Sequence, residues 1–157
     1  MLLQGGRRIS DIAVLWPISA IQAESYMFRD AESGLPIANW HPNDVVNYAL
    51  SGMLTNELHR DFTYVHPENL AEGKVSVEGD RLRLNNAENM QEYSVLIIPG
   101  GGYISADALK RIGEFYENGG KVIALASLPS HAAEFGRDAE VQSLIASVFG
   151  TPTPIAE

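Results

Sequence analysis

The stretch Tyr93-Ser94-Val95-Leu96-Ile97-Ile98-Pro99-Gly100-Gly101-Gly102 constrains this chain more than any other. Val95 to Ile98 are four consecutive apolar residues, three of them β-branched. Such a run is too short for a membrane span and lacks helical spacing, so it reads as a strand buried on both faces, as central parallel strands are. Pro99 ends the ladder because it has no N–H to donate. Three glycines then let backbone amides approach a neighbour closely at the strand's carboxyl end. In an open α/β sheet that edge is where ligands bind.

The same pattern, an apolar strand stopped by proline, occurs earlier in Asp11-Ile12-Ala13-Val14-Leu15-Trp16-Pro17 and predicts the first strand of the same sheet. Between Ile18 and Trp40 the signals are mixed: Ile18 to Phe28 suits a helix, whereas Asp30 to Pro36 is loop chemistry. Pro42-Asn43-Asp44 predicts a helix start. Val46, Leu50, Met53, Leu54 and Leu58 supply its apolar stripe, and Arg60 stands near its end. Phe62 to Val65 reads as a second strand and Pro67-Glu68-Asn69-Leu70 as one helical turn. Lys74 to Leu84 alternates apolar and polar residues on both sides of Glu78-Gly79-Asp80, which predicts a small β-hairpin insertion spanning about residues 73–86.

After the glycine run, Ser105 is placed to cap a helix with Asp107 in its first turn, a core face of Leu109, Ile112, Phe115 and Tyr116, and Gly119-Gly120 as its stop. Lys121 to Ala126 reads as the next strand. A final helix capped by Asp138 carries Val141, Leu144, Ile145, Val148 and Phe149 at helical spacing before Gly150, and residues 151–157 read as an extended linker. Strands alternating with helices predict an α/β fold: right-handed crossovers and a mostly parallel sheet covered on both faces. At 157 residues one domain, 1–157, is expected.

Composition narrows the function classes. The net charge of -9, from 11 Lys+Arg and 20 Asp+Glu, repels phosphate backbones and offers no basic stripe, so no nucleic-acid partner is expected. No apolar run nears the roughly 20 residues of a membrane helix, and no membrane partner is expected. Zero cysteines exclude disulfides and thiolate chemistry. The start, Met1 to Arg8, lacks the apolar core of a signal peptide.

Gly100-Gly101-Gly102 could cradle an anion, but Tyr103-Ile104-Ser105 supplies no third glycine of a dinucleotide fingerprint, and no Gly-Lys-Ser/Thr follows. No nucleotide cofactor is expected. The bend reads either as a bare turn or as an oxyanion-type nest. Further on, Ser127 and His131 lie four apart and could meet on a turn, with Glu134 as a third member. However, Ala126 and Leu128-Pro129 stand where a nucleophile elbow needs small, usually glycine, neighbours. His41 and His66 each precede a proline and His59 sits near a helix end. They read as turn and cap residues, and no metal site is expected. Glu24 could point at the strand ends or be a solvated carboxylate. Trp16, Tyr26, Phe28 and Trp40 could stack on a carbohydrate, pack on another domain, or enter the core.

The order Val95 to Gly101, capped helix, Gly119-Gly120-Lys121-Val122-Ile123-Ala124 and turn resembles the class I glutamine amidotransferase-like fold, which implies a flavodoxin-like three-layer sandwich. The resemblance implies oxyanion donors at Gly100 to Gly102 and places the family's catalytic cysteine on Ser127, with Leu128-Pro129 behind it. That departure counts against hydrolytic chemistry and implies at most a vestigial site of Ser127, His131, Gly101, Gly102 and Glu24. More closely, Asp11 to Ser19, Asp61 to Leu70, the Gly-Asp hairpin and the ending Val141 to Gly150 resemble amidotransferase-like domains of large glycoside hydrolases of the α-L-rhamnosidase type. They also resemble the β-galactosidase trimerisation domain. This implies a silent accessory domain whose partners are other domains of a parent enzyme or further copies of itself.

Overall fold

The structure is a computed structural model that describes residues 9–24, 28–29, 36–37, 49–85 and 90–150. The chain runs through β1 (Ile12–Leu15), α1 (Ile18–Glu24), the two-residue strands β2 (Phe28–Arg29) and β3 (Pro36–Ile37), and α2, a π-helical turn (Met53–Glu57). It continues through β4 (Phe62–Val65), α3 (Pro67–Ala71), β5 (Val75–Glu78), β6 (Arg81–Leu84), β7 (Gln91–Tyr93) and β8 (Val95–Ile98). Last come β9 (Tyr103–Ile104), α4 (Ala106–Glu117), β10 (Lys121–Ala124), β11 (His131–Ala132) and α5 (Asp138–Phe149).

The apolar runs dictate the centre. β1 and β8, with the most continuous hydrophobic sequence, are the two inner strands of a four-stranded, all-parallel sheet ordered β10-β8-β1-β4. Because side chains alternate along a strand, Ala13, Leu15, Leu96 and Ile98 enter one core with Leu109, Ile112 and Phe115 of α4 and Val141 and Ile145 of α5. Val14 and Ile97 point the other way, onto Leu50 and Leu54. Apolar helical side chains therefore cover both faces, as the sequence predicts for a mixed α/β chain. The connection from β1 leads to β4 on one side and that from β8 to β10 on the other, so the winding reverses between β1 and β8. That is the usual ligand crevice of such sheets.

Several local expectations are corrected. The predicted hairpin forms around Gly79 (φ 59°), but it gains a third strand. Leu82 pairs with Tyr93, so Tyr93 closes the antiparallel β5-β6-β7 sheet and does not begin the central strand. Among the described residues of the helical stripe before β4, Leu50 and Leu54 are buried. Leu58 N–H bonds to Met53 O, a five-residue step that shifts the register, and this leaves Met53 and Leu58 exposed. Residues 42–48 of that predicted helix, and the 151–157 linker, lie outside the described residues. In α4, Ser105 caps as expected and Leu109, Ile112 and Phe115 are fully buried, whereas Tyr116, one position on from Phe115, is turned to solvent. Gly119, at φ 94°, ends the helix. The N-cap of α5 is Arg137 and not Asp138. The Asp138 carboxylate instead accepts the Ala132 N–H at 2.8 Å.

Candidate functional site

At the carboxyl edge of the sheet, Pro99 releases β8 into a bend in which Gly100 and Gly101 hold φ of 107° and 117°, a region that side-chain-bearing residues avoid. The two amides that follow both point at side-chain oxygens. Gly101 N–H donates to Ser127 Oγ at 3.2 Å, and Gly102 N–H donates to Glu24 Oε1, from the last residue of α1, at 2.6 Å. A Cβ on Gly102 would lie 2.5 Å from that carboxylate oxygen, so the approach needs a glycine there. Glu24 and Ser127 thus each reach one amide of the glycine bend, which for Glu24 is the strand-end placement, one of the two that its sequence position left open.

Ser127 arrives there by a tight corner. Leu125 N–H still pairs with Ile98 O at 2.9 Å. The chain then closes a three-residue turn, Ser127 N–H to Leu125 O at 2.8 Å, centred on Ala126 at φ 61°. This is the strained γ-turn conformation. The corner that Leu128-Pro129 was expected to abolish therefore persists one residue early, centred on a methyl group. It is held because Ser130 and His131 N–H groups both donate to Gly102 O, at 3.0 and 2.9 Å, which forces the chain off β10 and over the glycine bend.

His131 does not close a catalytic pair. Its ring stacks on Tyr103 with centroids 5.0 Å apart, its Nδ1 faces Asp138 Oδ2 at 3.2 Å, and no hydrogen bond joins it to Ser127 among the described residues. Glu134, expected as the third member, instead caps α4 by accepting from Ser105 Oγ at 2.7 Å and from Ala106 N–H at 3.0 Å. Spacing in sequence gave no signal for Asp138, which reaches His131 only because the Gly136 turn (φ 78°) folds α5 back onto β11.

The Ala132 N–H first, and His131 second, hold the Asp138 carboxyl below the usual aspartate range. A depressed pKa contributes stability that is complete above the ordinary carboxylate range and lost as pH falls through the lowered value. The urea midpoint is accordingly expected to drop on the acid side, with a shallower acid limb in Asp138→Asn. An unchanged limb would contradict the assignment.

A half-open cleft of about 390 Å³, lined by none of the residues that meet at the glycine bend, lies between the starts of α1, α3 and α4, with Ser19, His66, Glu68 and Glu134 on its walls. His66 Nδ1 accepts the Glu68 N–H at 3.3 Å, a capping role as predicted. His59, at φ 50°, follows the end of α2. His41, Tyr26 and Trp40 lie outside the described residues, as does the Phe28 side chain. Trp16 packs edge-on against Tyr64 at 5.1 Å. Among the described residues no group of three or more His, Asp or Glu could hold a metal ion, and no helix is long and apolar enough to cross a membrane. No protein-family model matches the chain, and no curated protein matches it.

Proposed function

We propose that this chain is a catalytically silent, amidotransferase-like accessory domain of a larger carbohydrate-active enzyme, with a flavodoxin-like three-layer architecture that serves packing or assembly. The strand order β4-β1-β8-β10 supports the architecture, since it follows the doubly wound order of flavodoxin-like sheets. The silence rests chiefly on one observation. The Gly101 amide, which would have to stabilise an oxyanion, is spent on Ser127 Oγ itself, while the His131 imidazole is turned to Asp138. A scaffold role is supported by apolar groups that another domain would cover: Phe135 is fully exposed, and Ile123 on the edge strand β10 is 45% exposed.

A second reading, a small-molecule hydrolase using Ser127 and His131, is favoured by the strained turn at Ala126 and by the amide beside the hydroxyl. One experiment separates the two. Purified protein is expected to release no ammonia from glutamine and to hydrolyse p-nitrophenyl esters no faster than its Ser127→Ala variant. Turnover that Ser127→Ala abolishes would sink the silent reading and establish the other.

A further inference from the structure

The Gly102 amide at the bend donates to a carboxylate, that of Glu24. Two consecutive positive-φ glycines lead into the bend, and the amides of Gly101 and Gly102 each donate to a side-chain oxygen, Ser127 Oγ and Glu24 Oε1. The Glu24 oxygen belongs to an ionisable carboxyl group at 2.6 Å, the short separation of a charge-assisted bond. Gly102 itself lies outside the positive-φ region, so its missing side chain answers a need for space, and the space is filled by Glu24 Oε1. Beside it, Ser127 Oγ already accepts from Gly101, and its own proton makes no hydrogen bond to a described residue. A carboxylate seated here would find the Gly102 N–H for one oxygen and the Ser127 O–H for the other.

We infer that the Gly100–Gly102 bend is a carboxylate-binding site kept closed by Glu24, and that a small external monocarboxylate enters it by displacing that side chain from the Gly102 amide. Glu24 is the last residue of α1, so ligand entry would also unfasten the end of that helix from the sheet edge. The inference does not depend on whether Ser127 reacts: binding needs only its proton. A site occupied by its own tether shows an external ligand only the unlatched fraction, and its apparent affinity falls by that fraction. If Glu24 is latched about nine-tenths of the time or more, removing its carboxylate should tighten binding by roughly tenfold or more.

The test is a titration of the 157-residue chain with sodium acetate, followed through the Gly102 and Gly101 backbone amide resonances and run against sodium chloride at equal ionic strength. In Glu24→Ala the Gly102 amide is expected to shift saturably with acetate and not with chloride, at a midpoint at least about tenfold below that of the natural chain. Glu24→Gln keeps the shape but loses the charge. It should fall between the two, and it carries the test alone if Glu24→Ala does not fold. A Gly102 resonance indifferent to acetate in both variants, or one that follows chloride equally, overturns the inference. So does a natural chain that binds acetate as tightly as Glu24→Ala, because the latch would then hold nothing shut.

Discussion

Phe115→Ala is expected to lower the unfolding free energy by about 3–5 kcal/mol, the range for removing a buried aromatic ring from a packed core. Phe115 is fully buried where α4 faces the sheet and α5, and its ring lies against Gly120 so closely that a Cβ on Gly120 would fall among the ring carbons. Gly120 lies outside the positive-φ region, so its demand for glycine is steric alone. The pair therefore makes a coupled prediction. Gly120→Ala should cost about 1–3 kcal/mol through overpacking, and much less in the Phe115→Ala background, where the added methyl enters the space the ring has left. For a chain of this size the single Phe115→Ala change corresponds to a melting midpoint lower by roughly 10 °C. Urea denaturation of both single variants and the double variant measures the coupling. Additive effects would show that the ring and the glycine do not meet.

Gly102→Ala should be the most damaging change at the sheet edge. The new methyl would lie 2.5 Å from Glu24 Oε1, inside van der Waals contact, so the carboxylate must withdraw and the 2.6 Å bond is lost. A hydrogen bond to a charged group contributes about 1.5–3 kcal/mol, and that is the expected loss. Backbone strain adds nothing at this position. Gly102→Ala should consequently be close to neutral once Glu24→Ala has removed the obstruction. A loss that stays the same in both backgrounds would place the cause in the backbone and not in the carboxylate.

Much of the fold was legible because burial writes itself into sequence. The Val95–Ile98 and Ile12–Leu15 runs became the inner strands, and Ser105 and Gly119 bounded α4 as their capping chemistry requires. What escaped was set by tertiary demand. The π-turn that rotates Met53 and Leu58 outward has no periodicity of its own to announce it. Asp138 looked like a helix cap because Asp favours that position. Its carboxylate is drawn instead to the Ala132 amide, which only the folded chain brings near. At the site, the meeting of Glu24 with the glycine bend was one of two open readings. The displaced corner at Ala126 was hidden because two amides, of Ser130 and His131, share a single carbonyl more than two dozen residues earlier.

The placement of β8 between β1 and β10 governs how this chain must assemble. β1 finds β4 early, but its other edge waits for residues around Ser94, which lies 83 positions beyond Asp11, the residue whose carbonyl it bonds. At ~5–20 residues per second of synthesis, that edge stays open for roughly 4–17 s. Parallel pairings of such long range also form slowly. A nascent chain thus carries an exposed row of N–H and C=O groups along β1, and that edge is closed only once the residues of β8 have left the ribosome.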